Sequence, residues 1–175
     1  VIGGFERVYE IAPVFRAEKS HTSRHLTEFT GVDFEMAFIK DENELMDFVE
    51  EMLIDLLTKL KEESSSELEL LEVDHKIPED IPRITMAEAK ALLAEKGKKY
   101  SDEDDLDPEG EKLLGEIVKE KYGSEFVFLT NFPFAVRPFY CMKSEADSNG
   151  TKSFDLLFNG VEIATGTQRE HQLDV

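Results

Sequence analysis

Four charged side chains lie in or beside two strand-like runs near the start of the chain: Arg16, Glu18, Asp33 and Glu35. A charge on a half-buried strand is costly unless a partner offsets its lost hydration. These groups therefore require either one another or a bound ligand as partners. The pattern predicts that their hairpin is a binding site as well as a scaffold. An ordinary cross-strand ion pair between Arg16 and Glu18 is the competing interpretation.

Alternation of apolar and polar residues predicts the two strands of this hairpin. The alternation runs over residues 7–16 and 26–40, and a polar loop at 17–25 joins the two runs. In the second run, Phe34 and its alternate neighbours fall on one face and Asp33 falls on the other. The strands therefore decide which of the charged groups lie side by side.

Three predicted helices begin at recognisable start signals. Two of these signals are capping boxes and one is a first-turn proline: Asp41-x-x-Glu44, Thr85-x-x-Glu88 and Pro108. Apolar residues recur at helical spacing after the first signal. We expect the three helices to end near Lys61, Gly97 and Tyr122.

Four further segments are predicted to be strands, and their positions are 67–73, 126–130, 137–142 and 153–165. Gly166 is expected to end the last of them. Long antiparallel runs with helices in separate segments indicate an α+β fold, an antiparallel sheet flanked by helices, rather than a series of βαβ units.

The length and composition bound the class of protein. The 175 residues fit one domain, or one domain with a small insertion. The single cysteine, Cys141, excludes an internal disulfide and fits a reducing compartment. No apolar run approaches the roughly 20 residues that span a bilayer, so we expect no membrane partner. The chain begins with Val1 rather than Met, and we expect a fragment of a longer protein.

The charge of the chain is unevenly distributed. The net charge is -19, and residues 41–125 carry 27 acidic and 11 basic side chains. So acidic a surface disfavours non-specific nucleic-acid binding by this region, because phosphate backbones attract basic surfaces.

Two stretches of the chain together resemble a known family. The first resembles motif 2 of class II aminoacyl-tRNA synthetases, and it comprises Phe15-Arg16-Ala17-Glu18, Arg24-His25-Leu26-Thr27-Glu28-Phe29 and Asp33. The second resembles the strand before motif 3, and it comprises Phe154-Asp155 and residues 161–169. Residues 111–115, 131–133 and 137–140 also resemble this family. The combination is most similar to aspartyl-tRNA synthetases of the archaeal and eukaryotic cytosolic type.

The resemblance implies an activity for the parent protein. ATP and L-aspartate would form aspartyl-adenylate and pyrophosphate, and the aspartyl group would then pass to the 3′ end of tRNA. Such chemistry depends mainly on positioning and on neutralising charge. The resemblance further implies Mg²⁺ as cofactor, a cytoplasmic homodimer, and tRNA contacts made mainly by other parts of the parent.

The resemblance assigns a role to each candidate site residue. Arg16 would be catalytic, since it would contact the α-phosphate and the substrate carboxylate. The residues that would bind ATP are Arg16, Glu18, Arg24, His25, Phe29 and Glu162. Those that would bind the amino acid are Asp33, Thr165, Gln168 and Arg169, with Arg169 pairing with the aspartate side chain. Those that would hold Mg²⁺ are Asp155, Glu162 and Thr165.

The spacing of the two metal candidates sets a structural requirement. Asp155 and Glu162 are an odd number of residues apart, so a perfectly regular strand would put them on opposite faces. A bulge, or a turn near Asn159-Gly160, is therefore needed to bring them together.

The resemblance also implies how the chain is organised. Residues 1–65 would be a catalytic core with the motif 2 hairpin and the following helix. Residues 66–125 would be an acidic helical elaboration, and residues 126–175 would be core strands leading towards motif 3. Because the family's other motifs would lie outside the chain, we expect the central part of a catalytic domain that is inactive alone. Thr165 stands where the family usually has serine.

Several alternatives stay open at this stage. The parent could be an asparaginyl-tRNA synthetase-like or non-discriminating enzyme, or a non-catalytic paralogue that binds or regulates other molecules. His21 and His25 could form a zinc pair, although no third ligand follows them. Residues 105–116 nearly match a calcium-binding loop, but Asp107 as a helix cap explains the same residues. Phe29 could be a packing residue only.

Overall fold

The computed structural model of the chain describes residues 1–17 and 26–172. The backbone forms two compact units, Val1–Lys40 and Asp41–Val175. The first unit is an antiparallel hairpin of two strands, β1 (Arg7–Phe15) and β2 (Glu28–Met36). The predicted strand pair is therefore confirmed.

The second strand of this hairpin ends earlier than the predicted residue 40. Pairing is continuous from Arg7 opposite Met36 to Phe15 opposite Glu28. Beyond Met36, Ala37 N donates to Glu6 O at 2.8 Å, and Phe38 takes a positive φ of 60°. That left-handed conformation turns the backbone out of the extended path, so the strand stops there.

The second unit begins with a long helix, α1 (Glu42–Glu63). The Asp41 side chain caps it by accepting a hydrogen bond from Asn43 N at 2.9 Å. The apolar residues of the first half, Leu45, Met46 and Val49, are buried. The predicted start and approximate end of this helix are confirmed.

The predicted strand at 67–73 is wrong, because a short helix, α2 (Ser65–Leu70), occupies most of it. Leu68 N donates to Ser64 O and Leu71 N donates to Glu67 O, both at 3.0 Å. The alternating Glu-Leu run is too short to separate a period of 2 from one of 3.6. Glu and Leu are both strong helix formers, and their local preference prevails.

A four-stranded sheet forms the centre of the second unit. Its strands, in spatial order, are β3 (Arg83–Thr85), β4 (Phe126–Thr130), β5 (Ser153–Phe158) and β6 (Val161–Thr167). The short β3 is parallel to β4, and the other neighbours are antiparallel. The α+β prediction is confirmed, with one parallel pair added to the antiparallel sheet.

Two helices pack on this sheet, α3 (Met86–Glu95) and α4 (Pro108–Tyr122). The Thr85–Glu88 capping box is present, and Asp107 caps α4 by accepting from Gly110 N at 2.7 Å. The shared core is apolar and contains Ile84, Met86, Leu93, Leu114, Val118, Val127, Leu129 and Leu157. Both predicted helices are confirmed.

The predictions for 137–142 and for Gly166 are wrong. Between Pro133 and Pro138 the chain makes a 3-10 turn, Phe134–Val136, and Cys141 forms only an isolated bridge to Arg169. The prolines explain this, since they donate no hydrogen bond to a sheet. Gly166 lies inside β6 opposite Phe154, whose ring occupies the space that a Cβ would need.

Membrane-spanning helices were sought within residues 1–17 and 26–172. No helix there has both the length and the apolar character needed to cross a bilayer.

Candidate functional site

The first unit places three candidate residues on one face of the hairpin. Phe29 and Asp33 occupy alternate positions of β2, so both side chains point to the same side. Arg16 N donates to Thr27 O at 3.0 Å, which extends the ladder by one pair and puts Arg16 on that side too. The regular register therefore gathers residues that are far apart in sequence.

The guanidinium group of Arg16 lies over the ring of Phe29, with 5.3 Å between its central carbon and the ring centroid. Cation–π attraction favours this placement. Arg16 is exposed and Phe29 is half-buried, so both are accessible for contact with a ligand. Phe29 thus contacts a charged side chain and is not enclosed in an apolar core.

Gly31 lets neighbouring side chains lie close to the middle of the same face. It lies between Phe29 and Asp33, and a Cβ there would come 2.9 Å from Val14 Cγ2 and 3.4 Å from Asp33 Oδ2. Asp33 is paired with Glu10 across the hairpin, which places two acidic groups opposite each other at a cost. This face therefore carries two neighbouring acidic groups in addition to Arg16.

Several candidates of the motif 2 region lie outside the residues that the structure describes. They are Glu18, Arg24 and His25, together with His21 of the zinc hypothesis. Their proposed roles, and an Arg16–Glu18 ion pair, stay predictions.

The second unit satisfies the spacing requirement at the β5–β6 hairpin. Asn159 and Gly160 form a two-residue turn with φ of 49° and 74°, the conformation that Asn-Gly favours. The register then shifts, because Leu157 pairs with Glu162 whereas Leu156 pairs with Ala164. Ile163 is the extra residue of this bulge. The predicted need for a turn or bulge is confirmed.

The turn and the bulge together bring three metal candidates to one face of the sheet. Asp155 and Leu157 alternate on β5, and their partners across the ladder are Thr165 and Glu162. Partners across a ladder share a face, so Asp155, Glu162 and Thr165 lie together. In a regular ladder from the same turn, Glu162 would still pair with Leu157, whereas Thr165 would fall opposite Phe154 and point to the other side.

An arginine organises two of these residues. Arg137 Nη2 donates to Asp155 Oδ2 at 2.6 Å, and Arg137 Nη1 donates to Thr165 Oγ1 at 3.4 Å. Its guanidinium also lies on the ring of Phe132, 3.5 Å from the centroid. The side chains of Arg137 and Asp155 are only 13% and 11% exposed, so solvent screens this ion pair weakly.

Negative charge accumulates around Glu162. Although part of its side chain is exposed, crowding by neighbouring atoms raises the pKa of its carboxyl to about 7, because burial penalises the charged form. The charge of Asp155 raises this pKa further, and Arg137 acts in the opposite direction. Glu111 and Asp105 add smaller acidic contributions. Perturbation of this kind is common at functional sites.

Helix α4 supports the hairpin by an unusually close approach. A Cβ at Gly115 would lie 2.5 Å from Gly160 N, and one at Gly160 would lie 2.5 Å from Glu111 O. Two glycines facing each other allow the backbones of the helix and the turn to touch. This contact explains why Glu111, on the helix, raises the pKa of Glu162.

The last two candidates follow β6. Gln168 is bound through its backbone, since its N donates to Lys152 O and its O accepts from Met142 N, both at 2.9 Å. Its side-chain Oε1 is buried and has no hydrogen-bond partner within the described residues. The guanidinium of Arg169 lies 5.2 Å from the ring centroid of Tyr140.

The residues at the bulge fit a hard divalent cation in their chemistry. Asp155 Oδ1 is buried and finds no hydrogen-bond partner in the part of the chain that the structure describes. Mg²⁺ is typically held by one or two carboxylates together with substrate phosphates, and Asp155 and Glu162 supply such carboxylates. No cluster of three or more acidic, His or Cys ligands occurs within residues 1–17 and 26–172.

Sequence reasoning missed the role of Arg137 and of the two acidic neighbours, Asp105 and Glu111. Arg137 was only part of a stretch that resembles the family, and nothing in its spacing pointed to Asp155. An arginine between two prolines in an apolar stretch was the available signal, because such a charge needs a buried partner.

Comparison with protein families decides the relationship. The family described as tRNA synthetases class II (D, K and N) matches residues 1–175. The chain belongs to this family. The resemblance drawn from the two sequence stretches is thereby confirmed for this synthetase family.

Curated relatives of the synthetase chain carry aspartate-specific names. It is 47% identical over 175 residues to the aspartate–tRNA(Asp/Asn) ligase of Thermus thermophilus, covering 99% of this chain and 41% of that protein. It is 43% identical over 173 residues to the aspartate–tRNA(Asp) ligase of Pyrococcus abyssi, covering 98% and 40%. The chain thus spans about two fifths of the length of these relatives.

Solved structures share the fold of the synthetase chain. The aspartyl-tRNA synthetase of Entamoeba histolytica matches with a TM-score of 0.93 and 37% identity, over 98% of this chain and 36% of that one. The Pyrococcus horikoshii asparaginyl-tRNA synthetase, solved with asparaginyl-adenylate, matches with a TM-score of 0.88 and 31% identity, over 97% and 39%. The class II synthetase architecture is therefore confirmed.

Proposed function

We propose that the chain is the central part of the catalytic domain of an aspartate–tRNA ligase. The parent protein would activate L-aspartate with ATP and transfer it to the 3′ end of tRNA. The observation that supports this most directly is the β5–β6 hairpin, whose turn and bulge put Asp155, Glu162 and Thr165 on one face beside Arg137. Relatives at 43–47% identity with names of this activity support the same conclusion.

The hairpin of the first unit would bind the nucleotide. Arg16 would grip the α-phosphate and the attacking carboxylate, where charge develops, since a planar guanidinium can bind oxyanions with two hydrogen bonds. Phe29 would stack on the adenine. Glu18, Arg24 and His25 would complete the contacts to ATP.

The second unit would supply the cation and amino-acid contacts. Asp155, Glu162 and Thr165 would hold Mg²⁺, which neutralises phosphate charge when bound. Arg169 would pair with the side-chain carboxylate of aspartate. Gln168, whose buried Oε1 has no hydrogen-bond partner among the described residues, would contact the same substrate. Asp33 of the hairpin would line the amino-acid pocket.

The proposal extends to the parent protein as a whole. It would act as a cytoplasmic homodimer, and residues 1–65, 66–125 and 126–175 would be its core, acidic elaboration and strands leading to motif 3. Two relatives at 47% identity are named for both tRNA(Asp) and tRNA(Asn). A non-discriminating ligase, which charges both tRNAs with aspartate, is therefore the second candidate.

Amino-acid-dependent exchange between ATP and pyrophosphate tests this function in the full-length protein. Aspartate, asparagine and lysine would be compared, and charging of both tRNAs with aspartate would follow. Exchange with aspartate alone is expected. Exchange with asparagine alone would instead assign an asparaginyl-tRNA synthetase. No exchange from folded protein would identify a non-catalytic paralogue.

A further inference from the structure

Arg137 is almost enclosed by three groups that fix it from different sides. Its two terminal nitrogens donate to Asp155 Oδ2 at 2.6 Å and to Thr165 Oγ1 at 3.4 Å. The flat side of the guanidinium lies 3.5 Å from the ring centroid of Phe132. Stacking and a forked pair of hydrogen bonds together define both the plane and the direction of the group.

Phe132 is a rigid platform for this contact. Its ring is 1% exposed, and its carbonyl oxygen accepts from both N and Oγ1 of Thr151 at 2.9 Å. The Thr151 hydroxyl also lies 2.7 Å from Ser153 Oγ, on strand β5. The platform is thus tied to the same strand that carries Asp155, so Arg137 and Asp155 keep a fixed separation.

The two oxygens of the Asp155 carboxylate have different environments. Oδ2 is occupied by Arg137, whereas Oδ1 is buried and has no hydrogen-bond partner among the described residues. Rotation of the carboxylate would break the short contact to Arg137. The guanidinium therefore decides which oxygen stays available and where it points.

We propose that Arg137 is a positioning residue, which rests on the proposed function of this site. It holds Asp155 and Thr165 so that Asp155 Oδ1 and Glu162 face one divalent cation, and it offsets the repulsion between the carboxylates at the bulge. Lysine cannot replace it fully, because an ammonium group is a point charge that neither forks nor stacks as a plane. Partners that orient metal ligands typically matter by 10–100-fold in affinity or activity.

The test measures Mn²⁺ binding to the full-length protein at saturating ATP. Electron paramagnetic resonance reports bound Mn²⁺, and a protein-free titration of Mn²⁺ with ATP is subtracted. Arg137→Gln should weaken Mn²⁺ binding by about 10–100-fold and raise the Mg²⁺ concentration for half-maximal exchange by a similar factor. Arg137→Lys should recover only part of the affinity.

Arg83→Gln is the matched control. Arg83 also pairs with carboxylates, those of Asp47 and Glu50, and it also lies over a phenylalanine ring, 5.7 Å from the centroid of Phe128. Its partners include none of the metal candidates, so its loss should leave Mn²⁺ affinity unchanged. Thermal unfolding of each variant shows whether the fold is kept.

The outcomes distinguish a failure of the positioning role of Arg137 from a failure of the proposed ligase function. Equal Mn²⁺ affinity in Arg137→Gln and Arg83→Gln, or tighter binding in Arg137→Gln, would overturn the positioning role while leaving the ligase function intact. If Arg137→Gln does not fold, Arg137→Lys carries the test, with about tenfold weaker binding expected and wild-type affinity overturning the role. A wild-type protein with neither Mn²⁺ binding nor exchange would remove the proposed function and the positioning role together.

Discussion

The two β-hairpins of the chain are built on opposite plans. The β1–β2 hairpin pairs nine residues with nine in an unbroken register, and many of its side chains are exposed. The β5–β6 hairpin has a tight Asn-Gly turn, an extra residue at Ile163 and one strand that is almost fully buried. In a regular ladder, alternate residues lie on the same face. A bulge moves the residues that follow it to the opposite face.

This difference matters because both hairpins carry candidate residues. In the first hairpin Arg16, Phe29 and Asp33 share a face simply because alternate residues do. In the second, the Asn159–Gly160 turn puts Glu162 on the face of Asp155, and Thr165 joins them only because the register slips between Leu156 and Leu157. The first site can thus be predicted from alternation, whereas the second also depends on the turn and on the packing that selects the bulge.

The largest expected effect tests the first hairpin. Arg16→Ala should lower aspartate-dependent exchange between ATP and pyrophosphate by at least about 10²–10³-fold, because a charge-stabilising donor is lost where negative charge develops. Arg7→Ala is the matched control, since Arg7 is an exposed arginine at the start of the same strand. Near-normal exchange in Arg16→Ala would contradict the phosphate role.

The second prediction concerns the chain just after the bulged hairpin. Arg169→Leu should weaken the transition-state binding of aspartate by about 2–5 kcal/mol, because one partner of a charge pair is removed. ATP binding, measured separately by calorimetry, should stay at the wild-type level. An unchanged KM for aspartate would refute the assignment of Arg169 to the substrate carboxylate.

The third prediction compares a glycine of α4 that contacts the bulged hairpin with a glycine of the regular hairpin. Gly115→Ala should lower the free energy of unfolding by about 1–3 kcal/mol, because its Cβ would press on the backbone of the Asn159–Gly160 turn. An alanine in a helix normally stabilises by about 0.5–1 kcal/mol relative to glycine, so the sign of the change is itself diagnostic.

Urea denaturation gives these values, and two variants serve as comparisons. Glu116→Ala, on the exposed side of the same helix, should change the free energy of unfolding by less than about 0.5 kcal/mol. Gly31→Ala, in the first hairpin, should cost less than Gly115→Ala because its Cβ meets side-chain atoms, of which Val14 Cγ2 is the nearest, rather than backbone. A stabilised Gly115→Ala variant would contradict the close helix–turn contact.

The smallest expected effect concerns the start of α4, the helix that supports the bulged hairpin. The hydrogen bond from Lys98 lowers the pKa of Asp107 to about 2, and hydrogen bonds from Gly110 N and Tyr100 contribute. Asp107→Ala should lower the midpoint of thermal unfolding by about 2–4 °C at pH 7, since the helix loses its cap. Asp107→Asn should retain most of that stability, because asparagine also caps helices.

The pH dependence of this effect has a defined sign. A carboxyl whose pKa is lowered by folding stabilises the fold above its ordinary value of 3.8, and this contribution is lost as the pH falls from there to about 2. The difference between wild type and Asp107→Ala should therefore shrink in that range. Scanning calorimetry at pH 7 and at pH 2–4 measures it, and a constant difference would exclude the role of the charge.

Prediction from sequence succeeded where a local rule is sufficient. Capping side chains located the starts of α1, α3 and α4, and alternation located β1 and β2. It failed at 67–73, where four alternating residues fit either period, and at Gly166, whose missing side chain admits the ring of Phe154. At 67–73 the local helix preference of Glu and Leu decides the outcome, whereas at Gly166 the neighbouring strand decides it.

By itself, the sequence determined the family and the α+β class, because motif residues and helix caps act over a few positions. It also required a bulge or turn between Asp155 and Glu162, because their odd spacing is incompatible with a regular strand. Only the tertiary structure decided that Ile163 is the extra residue and that Arg137 is the partner of Asp155. Arg137 and Asp155 lie 18 positions apart, and packing between segments, which no local pattern encodes, selects their contact.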